Sequence, residues 1–357
     1  MPASSPYRRA SLDRGWAGLV LLTIALHLSP ATGQSSQGQL RPTLDAAAKA
    51  LAGGQPERAF PLFEAAHRDS PDNLEAARGL VVSALEAGNL AVAEQYGAEF
   101  LGRWPTDAQL LHWTGLVYFK QQRTTEALSL LRRSVAQNSS DFGSRFDLAL
   151  VLLTEKQYAP AAEELEHALK LRPDDSLAHV LLGRAYQNSN RTLQAVTHFQ
   201  SALKLDPATP LGHYHLGFAY ESLGRTTLAI AEYKKEIARG SSNPEVLFQL
   251  GSCLLETGDA TAAIAELRRA AQLDARNGDI QYTLGKALLA SGDNGAAIST
   301  LRSAAGLKPS DPSPHYLLAR ALENAGRKTD AQSEWQRFAE LKKAQPQQGG
   351  MASGRDQ

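Results

Sequence analysis

The chain has 357 residues, 43% of them hydrophobic and 21% charged, with 37 Lys and Arg against 37 Asp and Glu. Disordered chains combine low hydrophobicity with high net charge; neither holds here, and there is apolar material for a sizeable core. A net charge of zero offers no bulk attraction to nucleic acid or to an anionic membrane surface, which speaks against a nucleic-acid partner. The single cysteine, Cys253, can form no intramolecular disulfide and removes thiolate-rich zinc and iron–sulfur sites.

In chain order, Arg8, Arg9 and Arg14 precede the apolar stretch Trp16 to Leu28, which ends before Ala31-Thr32-Gly33. As a helix this stretch rises about 20 Å, short of the roughly 30 Å hydrocarbon core. Small residues at Ala31 and Gly33 fit signal-peptidase cleavage, so residues 1–33 read as a signal peptide and the mature protein as periplasmic or secreted. The alternative is an uncleaved anchor in residues 16–28, the one route to a membrane association. Residues 34–39 read as a linker.

From Leu40 a 34-residue period begins. Ala59, Ala93, Ala127, Ala161, Ala195, Ala229, Ala263, Ala297 and Ala331 recur at that spacing without a gap, and the units start near 40, 74, 108, 142, 176, 210, 244, 278 and 312. Twelve residues before each alanine stands Ala47, Val81, Gly115, Ala149, Gly183, Gly217, Gly251, Gly285 or Ala319. Inside a unit the apolar residues have helical spacing, as in Leu216, Tyr220 and Leu223, then Ile230, Tyr233 and Ile237 after the break at Gly224-Arg225. Each unit therefore reads as two amphipathic helices joined by a turn. Gly54, Gly88, Gly224, Gly258, Gly292 and Gly326 share the turn position, where a left-handed backbone suits glycine. Pro71, Pro105, Pro173, Pro207 and Pro309 close second helices. The small residue and its alanine twelve positions on are expected to let the two helices of a hairpin approach closely. Gly97 and Phe100 are expected to distort the second unit.

The pattern Leu216-Gly217-x2-Tyr220, Ala229 and Tyr233, repeated as Leu182-Gly183-x2-Tyr186, Ala195, Phe199, Ala202 and Pro207, resembles the tetratricopeptide repeat. The resemblance covers residues 40–345 and implies an all-α fold, a right-handed superhelical α-solenoid of about nine helix-turn-helix repeats. The family's large aromatic near the start of the first helix is replaced here by residues such as His179, His213 and His315. Residues 346–357 are polar and Gly-rich and read as a disordered tail.

The remaining residues leave no room for a catalytic domain. His213 and His215 are two apart, not the i, i+4 of a chelating pair on a helix. Cys253 lies among leucines as an inert buried thiol, and no phosphate-cradling loop or activated nucleophile is present. No enzyme activity, cofactor or metal is expected. The resemblance implies instead that first helices line a concave groove that holds a protein or peptide. Carried onto this chain, the groove positions read Phe146, Arg184, Tyr214, Phe218, Phe248, Tyr282, Lys286, Tyr316 and Arg320. Tyr282 with Lys286, and Tyr316 with Arg320, each set a flat apolar platform beside a cation one turn on. The same aromatics could equally pack against the neighbouring first helix. The lysine and asparagine set that the family uses to clamp chaperone tails is missing, since Arg78 is followed by Val82. The expected function is a non-catalytic exported scaffold. The alternative is a self-assembling or membrane-anchored platform, because Trp335, Phe338 and Leu341 end the array with no helix after them.

Overall fold

The computed structural model describes residues 37–344, and all eighteen elements among them are α-helices. The expected leader at 1–33 and the tail from 346 lie outside the described residues. Four hairpins belong to a first compact unit, Met1–Asp174. They are α1 (Gln37–Ala52) with α2 (Pro56–Asp69), α3 (Leu74–Glu86) with α4 (Leu90–Arg103), α5 (Ala108–Lys120) with α6 (Thr124–Gln137), and α7 (Phe142–Thr154) with α8 (Tyr158–Leu171). Five belong to a second unit, Asp175–Gln357. They are α9 (Ser176–Asn188) with α10 (Thr192–Leu205), α11 (Gly212–Ser222) with α12 (Thr226–Ala238), α13 (Pro244–Glu256) with α14 (Ala260–Leu273), α15 (Gly278–Ala290) with α16 (Asn294–Leu307), and α17 (Pro312–Asn324) with α18 (Lys328–Ala344).

Helix starts follow from one side chain. Asn73, Asp107, Asp141, Asp175, Asn243, Asn277 and Asp311 each accept a hydrogen bond from a backbone N–H in the first turn of the helix they precede, satisfying a donor that the helix leaves open. The sixth hairpin has Thr209 at this place. Its hydroxyl instead donates to the Asp206 carbonyl at 2.7 Å. There α11 starts only at Gly212, behind Leu211 in a left-handed conformation with no side-chain cap. The hairpin turns share one geometry. Gly54, Gly88, Gly224, Gly258, Gly292 and Gly326 have positive φ, and Gln122, Lys156 and Asn190 adopt the same left-handed conformation at the equivalent place. Turn geometry therefore persists in three hairpins without the residue that makes it cheap.

The nine period-marking alanines are all at most 1% exposed. The small residue twelve positions earlier serves a further partner. A Cβ on Gly115, Gly183, Gly217, Gly251 or Gly285 would lie 3.0, 2.5, 2.7, 2.5 or 2.5 Å from Leu131, Phe199, Tyr233, Leu267 or Leu301 respectively. Each glycine is thus the socket for a large side chain of its own second helix, and close packing leaves no spare volume there. The second hairpin inverts the arrangement: Val81 fills the socket position and Gly97 stands where the large residue belongs. Room is traded with the neighbours, because Gly79 receives the Phe63 ring and Gly97 receives Thr114, whose Oγ1 lies 2.5 Å from where a Cβ would be. Hence Gly97 and Phe100 do not distort the second hairpin, whose helices keep 13 and 14 residues. Phe100 is fully buried beside Tyr96 and Trp104.

Within each unit the backbone of every first helix approaches that of the next first helix, whereas successive second helices stay farther apart and meet through long side chains, as Phe60 does with Tyr96 and His67 with Phe100. First helices are therefore the inner layer of each unit. Second helices form the outer layer.

Candidate protein-binding face

The histidines near the starts of first helices are ties across the hairpin. The Nδ1 atoms of His213 and His315 lie 2.7 and 2.6 Å from carboxylate oxygens of Glu232 and Glu334, on the second helices of their own hairpins. His179 meets His198 at 2.9 Å and Arg145 meets Glu164 at 2.5 Å at the same separation of nineteen residues. A polar pair thus stands where the family usually places an aromatic. His215, one step round α11 from Tyr214, instead stacks on Phe199 with ring centres 5.5 Å apart. Burial, followed by the nearby Arg184 guanidinium, pulls its pKa down to about 3, so it stays neutral at the edge of the core.

The groove positions divide into two rows. In the first row, Leu44, His112, Val180 and Tyr214 are buried. Arg78 is bonded to Asp107, and His112 to Asp147 at 2.7 Å. Phe146 lies half-buried in the first unit and stacks on Phe142 at 5.6 Å, with the Arg172 guanidinium over the far ring. Tyr214 lies within 6.4 Å of Phe218 and 6.0 Å of Tyr233, as a wall of the core that supports Phe218 from behind. The other accessible aromatics of this row are in the second unit. Phe248 is half-buried against Leu247, Ala270 and Ile280. Tyr282 is half-buried, and burial, then the charge of Asp311, raises its pKa above the usual phenol value. Tyr316 is 39% exposed, with Trp335 and Phe338 at 5.3 and 5.5 Å.

Along the second row Arg184 and Phe218 are half-buried, and Lys286 and Arg320 are exposed. The Arg320 guanidinium carbon sits 5.9 Å from the Tyr316 ring centre, within cation–π range. Beside this end an open cavity of about 440 Å³ is lined by Glu323, Lys328, Gln332 and Trp335. The Trp335 indole N–H donates to Glu323 at 2.8 Å.

Carboxylates, absent from the expected set, flank the aromatic row on α11 and α13. Glu221 accepts the Tyr233 hydroxyl at 2.7 Å. Burial raises its pKa first, and Glu256 and Glu245 add like-charge repulsion. Burial and the charge of Asp279 likewise raise that of Glu245. Cys253 also faces Glu221; it is 1% exposed and its pKa is pushed up to about 12, which suits an unreactive thiol. Among the described residues no group of three His, Cys, Asp or Glu side chains is placed to hold a metal ion. No described helix is long and apolar enough to cross a membrane.

A family model described as tetratricopeptide repeat matches residues 50–99, 118–185, 254–312 and 288–348, and a second of that description matches 180–244. The chain belongs to the tetratricopeptide repeat family. Its members are protein-interaction scaffolds that bind proteins or peptides, and the fold is typically non-catalytic.

Among curated proteins, the chain is 35% identical over 79 residues to a BBSome complex member BBS4 homolog of Drosophila melanogaster. It is 32% identical over 108 residues to a cellulose synthase operon protein C of Xanthomonas axonopodis pv. citri (strain 306). The matches cover 22% and 28% of this chain but only 16% and 7% of those relatives.

Among solved structures, it is similar to a chain of the APC/C hetero-tetramer Cut9-Hcn1, with TM-score 0.55 and 18% identity over 82% of this chain and 60% of that one. It is also similar to PilF of Pseudomonas aeruginosa, with TM-score 0.51 and 19% identity over 58% and 94%. At these identities the likeness concerns the tetratricopeptide fold alone.

Proposed function

We propose that this protein is a non-catalytic scaffold, exported by its N-terminal segment, that holds a segment of another protein on the inner face of its second unit. The observation that carries the reading is the exposed pairing of Tyr316 with Arg320, continued by Tyr282 with Lys286 one hairpin earlier. Tyrosine and arginine are enriched among residues that dominate binding energy, and a ring that keeps surface open to solvent has apolar area to give to a partner. The five hairpins of the second unit supply the inner layer on which these side chains stand.

Pull-down from an extracytoplasmic extract with the wild-type chain and a Tyr282→Ala, Tyr316→Ala double variant tests the binding face. The reading expects the double variant to lose the partner; equal recovery removes these residues from the site. Cell fractionation with and without residues 1–33 tests export, with retention of the truncated chain in the cytoplasm as the expected outcome.

Self-assembly is the second reading, favoured by Trp335 and Phe338, which remain only half-buried on the last helix. Mass that rises with concentration in light scattering would support it. Constant monomer mass would remove it.

A further inference from the structure

On the inner face of the second unit, carboxylates on α11 and α13 are followed by cations on α15 and α17, with the aromatic row joining them and the half-buried Arg184 standing before them on α9. Toward α11 and α13 stand Glu221, Glu245 and the exposed Glu256. Their partners are neutral: the Tyr233 hydroxyl on Glu221, the Gln249 amide on Glu245 at 2.8 Å and the Thr226 hydroxyl on Glu256 at 3.4 Å. The next acid along, Asp279, is already matched by Lys308 at 2.7 Å, while the exposed Glu323, which accepts from the neutral Trp335 N–H, stands one turn from Arg320. Toward α15 and α17 the order reverses, because Lys286 and Arg320 are exposed beside Tyr282 and Tyr316. Phe248 lies between the two ends, its ring packed at the root and half-buried. A cation is expected to relieve the like-charge repulsion among the acids, and a carboxylate to satisfy Lys286 and Arg320, the latter standing over the Tyr316 ring.

We propose that the segment bound on this face is itself bipolar, with a Lys or Arg over α11 and α13, apolar side chains on Phe248, Tyr282 and Tyr316, and an Asp or Glu reaching Lys286 and Arg320. This rests on the protein-binding reading above and specifies the partner's chemistry. Neighbouring packed helices lie about 8 to 10 Å apart, and an extended peptide advances about 3.3 Å per residue. One to three helix spacings therefore separate the peptide's cation from its anion by about three to nine residues. Complementary charge at both ends also sets the direction in which the segment lies, since the reversed placement puts like charges together.

The test uses the full chain and four synthetic twelve-residue peptides, followed by fluorescence anisotropy at low and high salt. Two peptides carry a Lys and a Glu about six residues apart, flanking a Leu- and Phe-containing centre, one in each chain direction. The third has the same composition with the charges alternating, and the fourth is wholly acidic. The inference expects one bipolar peptide to bind at least tenfold tighter than the alternating one, with the difference shrinking in high salt. A Lys286→Glu, Arg320→Glu variant is expected to lose that preference and to regain binding when the peptide's acidic end is changed to Lys. Both positions are exposed, and circular dichroism checks that the variant keeps its helix content. Equal binding of bipolar and alternating peptides, tighter binding of the acidic one, no binding of any probe, or a preference that survives the charge reversal each overturns the inference. The protein-binding reading falls separately, through undiminished partner capture by the Tyr282→Ala, Tyr316→Ala variant.

Discussion

The sixth and eighth hairpins follow one 34-residue template with different amounts of apolar material. In the eighth, Asn277 caps α15 through two backbone N–H groups, Gly285 seats Leu301, and the buried residues are apolar or glycine. In the sixth, the cap is missing, Leu211 is left-handed, and Gly217 seats Tyr233, whose hydroxyl must find Glu221. Two carboxylates, Glu232 and Glu236, are buried at 8% and 5% exposure, and Glu236 keeps one oxygen without a hydrogen-bond partner. Both hairpins form because the socket glycine, the period-marking alanine and the left-handed turn are present in each. The polar load of the sixth shows how few positions the template needs.

The largest expected effect tests the socket. Gly285→Leu places a side chain where a Cβ alone would lie 2.5 Å from Leu301, and overpacking of this kind is expected to cost about 3 kcal/mol. Urea denaturation measures it, and an unchanged midpoint would mean that the two helices of the eighth hairpin do not meet there.

The next effect belongs to the sixth hairpin and to pH. His215 has a folded-state pKa near 3, below the ordinary value of 6.5. Above pH 6.5 it is neutral in both folded and unfolded chains and contributes no pH dependence. As pH falls below 6.5 the unfolded chain takes up a proton that the folded site resists, so stability falls by up to about 1.4 kcal/mol per pH unit, about 2 kcal/mol between pH 6.5 and 5. Glu221 and Glu245, whose values are raised, act with the opposite sign, since the folded chain takes up their protons first. The difference between the wild type and His215→Gln isolates the histidine. Parallel stability curves for the two proteins across that range would show that His215 is not held neutral.

The smallest effect sharpens the contrast in capping. Asn277→Ala removes bonds to the N–H groups of Asp279 and Ile280 and is expected to cost about 1 kcal/mol. Thr209, which caps nothing, is expected to show no comparable loss of helix-start protection when the two hairpins are followed by amide exchange.

Much of the fold was legible because a repeat writes the same physics nine times. The alanine period, the glycine turns and the helical spacing each restate one hairpin, and the described residues hold the eighteen helices this implies. Less legible was compensation between neighbours. Gly79 with Phe63, and Gly97 with Thr114, make sense only once adjacent hairpins are packed. The nineteen-residue spacing of His213 with Glu232 and His315 with Glu334 was a usable signal for the cross-hairpin ties. For the candidate face, sequence spacing placed the first-helix positions but not their burial. Whether Tyr214 or Tyr316 keeps its ring in solvent depends on the helices packed around it, and the structure buries the first to 7% and leaves the second at 39%. The acids of α11 and α13 were missed because surface carboxylates on a helix ordinarily mean only solvation.

On the proposed reading, binding occurs on the inner, first-helix face and not on the second helices, where Leu205, Leu273 and Leu307 are also exposed. Site-specific photo-cross-linking from Lys286, Arg320 and Leu273 in the intact cell tests it most directly. Partner adducts are expected from Lys286 and Arg320 and none from Leu273. Adducts from Leu273 alone would contradict it.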